Sequence, residues 1–316
     1  MLLFAPNHSA PFARAVAQKL GIALASSEER EFDGGEHKMR SLEDVQGQDV
    51  FVIQSLFGEP QASANDKLCR LLFFCGSLKD AGAARVTACV PYLAYARKDR
   101  RTQPNDPVST RYVAALFEAV GVDRVIVLDV HNEAAFDNAF RHTTVRIEAM
   151  QTFSDNLAPS LVESDVVVAS PDTGGIKRAQ RFREMLAACL GRELGFAFME
   201  KRRAKGIVSG ETFVGEVASR EVLIFDDIIV SGTTIMRATA AARSAGAKRI
   251  TVLASHAAFS LAAQQLFESG GPDAVLVSDS ISIAAAFTAF VGTRLQVCSV
   301  APLFARTIAH LSVAAR

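Results

Sequence analysis

Two adjacent carboxylates, Asp226 and Asp227, end an apolar run that begins at Val222. A turn of hydroxyl and glycine residues follows them, formed by Ser231, Gly232, Thr233 and Thr234. Unpaired backbone N–H groups at a helix N-terminus hold phosphate, and small residues let the phosphate come close. The carboxylates can accept hydrogen bonds from sugar hydroxyls or face a metal ion beside the phosphate. A phosphate-binding turn next to acceptors for sugar hydroxyls predicts a site for a ribose phosphate. The alternative is an ordinary helix cap with solvated acids.

A second segment, Ser170 to Arg178, repeats this design after the apolar run Val166–Ala169. Its paired glycines let a backbone approach a phosphate, and Asp172 offers an oxygen ligand to Mg²⁺. His131 also follows an apolar run, which makes it a candidate to bridge a metal ion. A capping turn and a structural histidine are the respective alternatives.

Two clusters of cations also follow apolar runs. Arg97, Lys98 and Arg100 lie in a proline-flanked segment, and their position after a strand favours a polyphosphate site. Lys201 and Arg203 belong to a run with four cations in the six residues 200–205. Cations on a mobile segment can close over a phosphate site and neutralise the charge that develops during phosphoryl transfer. Solvated surface charge is the alternative for both clusters.

The segment Phe32 to Glu36 is polar and interrupted by glycine, which predicts an exposed aromatic side chain in a loop. Exposed aromatics usually pack against something. A stacked nucleobase, a subunit interface and a local core contact are the three interpretations.

The elements that must position these residues are short apolar strands such as Val86–Val90, Val125–Leu128 and Val222–Phe225, separated by amphipathic helical stretches. This alternation predicts an α/β protein with parallel sheets, whose ligands gather at the carboxyl ends of the strands. Two such strands, each ending in polar residues, predict two similar α/β domains. The boundary is placed between residues 147 and 148, giving domains of residues 1–147 and 148–316.

Composition narrows the possible functions. The chain has 316 residues, of which 49% are hydrophobic, and 34 basic side chains balance 34 acidic ones. A zero net charge argues against a nucleic-acid or anionic-membrane binder. Five cysteines without a Cys-x-x-Cys pair, no basic leader and no long apolar run predict a reduced, cytoplasmic protein. Neither a P-loop nor a Gly-x-Gly-x-x-Gly pattern occurs, so any ATP site follows another plan.

Six segments together resemble those of the ribose-phosphate diphosphokinase family, also called phosphoribosyl pyrophosphate synthetases. In chain order they are Phe32 to Glu36, Pro91 to Arg101, Val127 to His131, Ser170 to Gly175, Lys201 to Arg203 and Phe225 to Thr234. Each segment alone is a weak signal, but six in register are specific. The resemblance extends over residues 32–278 and implies two tandem domains of the type I phosphoribosyltransferase fold, each with a mainly parallel sheet flanked by helices.

The resemblance implies an activity as well as a fold. Members of the family transfer the β,γ-diphosphoryl group of ATP to the C1 hydroxyl of ribose 5-phosphate, with Mg²⁺ as cofactor. The products are 5-phosphoribosyl 1-diphosphate and AMP. The resemblance also implies a homo-oligomer built from dimers, such as a hexamer, in which a neighbouring subunit completes the adenine site.

The candidate residues receive roles from this resemblance. It implies that Asp226 and Asp227 bind the sugar hydroxyls. It also implies that the 5-phosphate is bound by Ser231, Gly232, Thr233 and Thr234. His131 and Asp172 are implied to bind Mg²⁺. Lys201 and Arg203 are implied to be the catalytic residues of a flexible loop. ATP is surrounded by Arg97, Lys98, Asp99 and Arg100, with Phe32 and Glu36 reaching the adenine from the neighbouring subunit.

The chain departs from the family pattern at several positions. Gly34 removes one expected adenine contact unless Asp33 supplies it, and Val230 replaces a polar residue beside the phosphate turn. Thr233 replaces a small residue in that turn, and Gln46 stands where phosphate-activated members carry Arg. Two other functions therefore compete with the diphosphokinase: a nucleobase phosphoribosyltransferase and a non-catalytic regulatory homologue of the synthetase.

Overall fold

The computed structural model describes residues 1–204 and 207–313, with the side chains of residues 201–212 and 313 outside the description. The strands are β1 Leu2–Phe4, β2 Ser27–Glu31, β3 His37–Ser41, β4 Asp49–Ile53, β5 Arg85–Val90, β6 Arg124–Leu128, β7 Thr143–Ile147, β8 Val166–Ser170, β9 Gly195–Ala204, β10 Ile207–Val214, β11 Glu221–Ile229, β12 Arg249–Ala257, β13 Ala274–Ser278 and β14 Leu295–Cys298. The α-helices are α1 Ala10–Leu20, α2 Ala64–Asp80, α3 Ser109–Ala119, α4 Glu133–Ala139, α5 Met150–Leu161, α6 Ile176–Leu190, α7 Thr233–Ser244, α8 Ala285–Val291 and α9 Ala301–Val313.

The chain forms two compact units, one of residues Met1–Glu148 with Val300–Arg316 and the other of residues Ala149–Ser299. Helix α9 therefore belongs to the first unit, where Phe304 packs edge-to-face on Phe12 of α1 with ring centroids 5.5 Å apart. The division made from the sequence placed all of residues 148–316 in the second domain. Two similar-looking halves gave no signal that the chain returns to its first unit.

The first unit is built on a parallel sheet in the order β1-β4-β5-β6-β7. Its strands are apolar and buried, with Val50, Val52 and Val90 fully shielded from solvent, as expected where both faces of a sheet are covered. Helix α2 packs on this core and begins with a capping box, in which Ser63 and Asp66 satisfy each other's backbone N–H groups. These elements fix where the loops after β5 and β6 emerge.

A separate antiparallel hairpin of β2 and β3 belongs to the same unit and pairs Ser27 with Ser41 and Glu31 with His37. Both strands are polar, with the sequences SEERE and HKMRS. The search for apolar runs missed them for that reason. The hairpin presents the loop from Phe32 to Glu36 at its tip.

The second unit is built on a sheet in the order β10-β9-β8-β11-β12-β13-β14. Strands β9 and β10 pair antiparallel, and the other neighbours pair parallel. From β8 the chain proceeds to β9 on one side, whereas β11 and the strands after it lie on the other side. The direction of winding thus reverses between β8 and β11, and ligands of α/β proteins bind outside the carboxyl ends of strands at such a reversal.

Helices α5 and α6 pack on this sheet through aromatic side chains. Phe225 of β11 lies 4.8 Å from Phe182 and 6.1 Å from Phe153, measured between ring centroids. All three rings are fully buried. The predicted α/β class with two mainly parallel sheets is confirmed. No α-helix in the described part of the chain is both long enough and apolar enough to cross a bilayer.

Candidate active site

The adjacent acids lie within β11 rather than after it. The sequence predicted a strand that ends at Phe225, but β11 continues to Ile229 because its second half still pairs with β12. On the opposite side β8 pairs with β11 only as far as Ile224. Asp226 and Asp227 therefore lie where β11 has passed the end of its β8 neighbour, at the carboxyl edge where the winding reverses.

A guanidinium from α6 meets both carboxylates. Arg178 Nη1 is 2.9 Å from Asp227 Oδ1 and 3.8 Å from Asp226 Oδ1. Asp227 is 4% exposed, so this ion pair is shielded from solvent. Arg178 had no predicted role, although it ends the predicted segment Ser170 to Arg178. A signal was available, since Arg178 precedes the core residue Phe182 by one helical turn and therefore faces the same strand.

The two acids differ in their surroundings. Burial raises the pKa of Asp226 well above its ordinary value of 3.8, and the neighbouring charge of Asp227 raises it further. The Asp227 backbone N–H donates to Asp226 Oδ1 at 2.9 Å and Arg178 acts on the same group, but both lower the pKa less than burial raises it. The pair thus combines one ion-paired carboxylate with one whose charged form is disfavoured.

The predicted phosphate turn begins α7. Gly232 has φ of 79° and precedes the first helical residue, Thr233, without any side chain capping the helix. Ser231 Oγ is 3.1 Å from Thr233 Oγ1 and 3.4 Å from the Thr233 backbone nitrogen. At such an N-terminus the N–H groups point away from the helix and are available to an anion.

The shape of the turn is set by the short 3₁₀ segment Leu261–Phe267. Gln265 Nε2 donates to the Ser231 carbonyl at 2.7 Å, and the Ser260 backbone N–H donates to the Val230 carbonyl at 2.9 Å. A Cβ placed on Gly232 would lie 2.7 Å from Leu266 Cγ, which is closer than atoms can pack. No pattern in the sequence predicted this supporting segment.

The loop after β8 is organised by Asp172. Its Oδ1 accepts hydrogen bonds from the backbone N–H groups of Gly174 at 2.9 Å and Gly175 at 3.0 Å. Ser170 Oγ donates to the Asp172 carbonyl at 2.6 Å, and a Cβ on Gly175 would lie 2.7 Å from that hydroxyl oxygen. One carboxylate oxygen therefore maintains the loop, while Oδ2 has no partner among the described residues.

In the first unit, a hydrogen bond joins the turn after β6 to the cationic segment after β5, which carries Arg97, Lys98 and Arg100. Asn132 Nδ2 donates to Asp99 Oδ2 at 2.6 Å. His131, next to Asn132, is exposed, as are Arg97, Lys98 and Arg100 on the other side of this contact. The structure thus joins the predicted nucleotide segment to the segment that carries the predicted metal residue, through an asparagine that had no predicted role.

Phe32 lies at the tip of the hairpin and is 50% exposed, which agrees with the predicted exposed aromatic in a loop. Its backbone N–H donates to the Glu36 carbonyl at 2.8 Å, and Gly34 and Gly35 both have φ near +88°. The strand residue next to this loop, Glu31, is held to α2 by Arg70, whose Nη1 lies 2.7 Å from Glu31 Oε1. An exposed ring on an anchored loop is available to stack on a partner.

Two predicted residues cannot be placed by their side chains. Lys201 and Arg203 lie in the backbone of β9, opposite Glu211 and Val208 of β10, and their side chains are outside the described residues. The remaining predicted residues divide between the units. Asp172, Asp226, Asp227 and the phosphate turn belong to the second unit, and Phe32, Glu36, His131 and the cationic segment belong to the first.

Comparison with known proteins agrees with these features. Residues 1–121 match the family described as the N-terminal domain of ribose phosphate pyrophosphokinase, and residues 198–312 match the phosphoribosyl synthetase-associated domain. The ribose-phosphate pyrophosphokinase of Thermotoga maritima is 32% identical, covering 99% of this chain and 96% of that protein. That of Vibrio parahaemolyticus is 37% identical, covering 90% of this chain and 87% of that protein.

A solved structure extends the likeness to three dimensions. The phosphoribosylpyrophosphate synthetase from Mycobacterium smegmatis superposes with a TM-score of 0.86 at 30% identity, covering 98% of both chains. The resemblance inferred from six short segments is thereby confirmed over nearly the whole sequence. This chain belongs to the ribose-phosphate pyrophosphokinase family.

Proposed function

We propose that the chain transfers the β,γ-diphosphoryl group of ATP to ribose 5-phosphate. The C1 hydroxyl oxygen attacks the β-phosphorus, the bond from that phosphorus to the α,β-bridging oxygen breaks, and AMP leaves while the hydroxyl proton is lost. One observation in the second unit carries the proposal. It is the arrangement of Asp226, Asp227 and the phosphate turn Ser231–Thr234, here called the sugar side. There two adjacent acids, Asp227 buried and Asp226 half-buried, are followed by an uncapped helix N-terminus at the reversal of the sheet.

The sugar side recognises both ends of its ligand. Asp226 and Asp227 accept hydrogen bonds from the ribose hydroxyls, and the backbone N–H groups that begin α7 hold the 5-phosphate. Thr233 and Thr234 add hydroxyl donors to that turn. Because Arg178 compensates the negative charge of the acids, they can lie near an incoming phosphate.

The nucleotide side lies in the first unit. Arg97, Lys98 and Arg100 supply positive charge for the phosphates of ATP, and Asp99 holds their segment through Asn132. Phe32 stacks on the adenine and Glu36 contacts it, in the site of a neighbouring subunit. We assign Lys201 and Arg203 to stabilisation of charge in the transition state.

Mg²⁺ fits the residues that are present. Among the described residues no three His, Cys, Asp or Glu side chains gather into a metal site. Mg²⁺ does not need such a cage, because it keeps several waters and binds through one or two protein ligands plus substrate phosphates. Asp172 Oδ2 and the exposed His131 are the proposed Mg²⁺ ligands. When bound with ATP, the ion neutralises phosphate charge.

A coupled assay for AMP release from ATP, Mg²⁺ and ribose 5-phosphate tests the proposal. AMP formed in equal amount to 5-phosphoribosyl 1-diphosphate supports the diphosphokinase. Release of diphosphate from 5-phosphoribosyl 1-diphosphate and a nucleobase, with no AMP formed from ATP and ribose 5-phosphate, identifies a phosphoribosyltransferase instead.

The regulatory homologue has one observation in its favour. Val230 beside the phosphate turn and Thr233 within it, which both depart from the family pattern, are exposed. Absence of AMP release at every phosphate concentration, together with stimulation of an active synthetase on mixing, identifies this second function. The oligomeric state and the cytoplasmic location stay predictions, and size-exclusion chromatography with light scattering measures the first.

A further inference from the structure

The contact between Arg178 and the acid pair links three elements of the second unit. Arg178 lies in the first turn of α6, directly after the loop that Asp172 organises. One helical turn later, Phe182 packs on Phe225, the residue before Asp226. The ring contact fixes the helix against β11, and the guanidinium reaches the carboxylates from that fixed position.

The acid pair needs a cation on electrostatic grounds. Two neighbouring carboxylates at a shielded site repel each other, and burial disfavours the charge of each. A guanidinium at 2.9 Å offsets this cost for Asp227 and fixes its rotamer. Without the cation, either the acids take up protons or the side chains turn toward water, and both changes remove acceptors from the sugar hydroxyls.

We propose that Arg178 is a positioning residue for ribose 5-phosphate: it holds Asp227 in the orientation that accepts the sugar hydroxyls. The inference rests on the proposed function, because it assigns Arg178 to the same sugar site. Arg178 acts through Asp227 rather than by contacting the reacting atoms. The alternative is a purely structural ion pair that joins α6 to β11.

Calorimetric binding of ribose 5-phosphate separates the two roles without requiring turnover. Arg178→Ala is expected to weaken binding at least about tenfold, as for truncation of one partner of a buried charge pair, while ATP binding is unchanged. The acid limb of ribose 5-phosphate binding is expected to move to higher pH, because removing a nearby positive charge raises the pKa of carboxylates. Arg178→Lys keeps the charge and is expected to restore the position of that limb and part of the affinity.

Arg183→Gln provides the matched control on the same helix. Arg183 lies over the ring of Phe196 at 5.9 Å, and its ion pair is with Glu184, not with the acid pair. This variant is expected to bind ribose 5-phosphate like the wild type, with an unshifted pH profile.

A double-mutant cycle completes the test. In an Asp227→Asn background, Arg178→Ala is expected to cause little further loss of ribose 5-phosphate binding, because its effect passes through Asp227. Equal pH profiles for wild type and Arg178→Ala, or fully additive losses in the cycle, would overturn the positioning role. Failure of the wild type to release AMP would instead count against the proposed function, so the two outcomes are distinguishable.

Discussion

Asn132 donates a 2.6 Å hydrogen bond from its side-chain amide to Oδ2 of Asp99. The same side chain caps α4, because its Oδ1 accepts from the Ala135 backbone N–H at 3.1 Å. One amide thus holds the cationic segment after β5 and the turn after β6 in a single arrangement. The proposed ATP contacts depend on that arrangement, although Asn132 itself has no assigned ligand.

Replacing Asn132 by Asp tests this dependence. The carboxylate keeps the helix cap, but it loses the donor and places a like charge beside Asp99. We expect the KM for ATP to rise about threefold to tenfold, with the KM for ribose 5-phosphate and the melting temperature nearly unchanged. Asn138→Asp, an exposed change on the same helix, is the control. Equal effects of the two variants on KM for ATP would contradict the role of Asn132.

Gly232→Ala tests the phosphate turn. The new Cβ would meet Leu266 Cγ at 2.7 Å, and φ of 79° is unfavourable for alanine. The turn must therefore change shape, and we expect ribose 5-phosphate to bind at least about tenfold more weakly.

Gly246→Ala isolates the effect of backbone strain. Gly246 has φ of 87° in the same unit, but its Cβ would make only ordinary 3.5 Å contacts with Ala218. Both variants are expected to lose about 1 kcal/mol of stability from the positive φ, and only Gly232→Ala is expected to lose sugar binding. Similar binding losses in both would attribute the effect to general destabilisation.

Asp226→Asn is expected to stabilise the protein while it abolishes sugar binding. The folded-state pKa of Asp226 is raised, chiefly by burial, so its ionisation opposes folding above that pKa. As pH falls through the folded-state pKa, protonation relieves the penalty, and below the ordinary value of 3.8 none remains. The variant should exceed wild type in stability at neutral pH, by about 2–4 °C in melting temperature per kcal/mol relieved, and the difference should vanish in acid.

Asp273→Asn is the control of opposite sign. Burial raises the pKa of Asp273, but hydrogen bonds from Arg243 and from the Ile250 backbone N–H outweigh it, so the net pKa is lowered. Its ionised form therefore stabilises the fold above the unfolded-state pKa, and this variant should be less stable at neutral pH. Melting curves between acidic and neutral pH measure the stability difference between each variant and the wild type. Stabilisation by both variants would contradict the opposite pKa shifts of Asp226 and Asp273.

The phosphate turn and the acid pair could be predicted from the sequence because they are contiguous and lie where an apolar strand meets a helix. Arg178 belongs to another segment, and only the packing of α6 on β11 brings it to the acids. The hairpin strands escaped prediction because every residue in them except the buried Met39 is polar, so no apolar run marks them. The return of α9 to the first unit depends on contacts such as Phe12 with Phe304, which no local pattern specifies.

Phe32→Ala tests the adenine assignment. The ring is 50% exposed, so its removal should cost little stability, whereas stacking on a base is worth about 1–3 kcal/mol. We expect ATP affinity to fall about fivefold or more with ribose 5-phosphate affinity unchanged. Phe73→Ala is the matched control, because Phe73 on α2 is 68% exposed and has no assigned ligand. Calorimetry that shows weaker sugar binding and normal ATP binding would refute the assignment.

Asp172 serves both the loop and the proposed metal site, and two substitutions separate these roles. In Asp172→Asn the amide oxygen can still accept from the N–H groups of Gly174 and Gly175, while the charge is lost. In Asp172→Ala both are lost, and the two backbone donors are left without their acceptor, at a cost of about 1–3 kcal/mol where they are buried.

We expect Asp172→Asn to melt like the wild type but to need at least about tenfold more Mg²⁺ for half-maximal AMP release, since a carboxylate ligand is replaced by a neutral one. Asp172→Ala should show the same Mg²⁺ requirement with a lower melting temperature. An unchanged Mg²⁺ requirement in Asp172→Asn, with a defect confined to Asp172→Ala, would leave Asp172 as a loop-forming residue and remove it from the metal site.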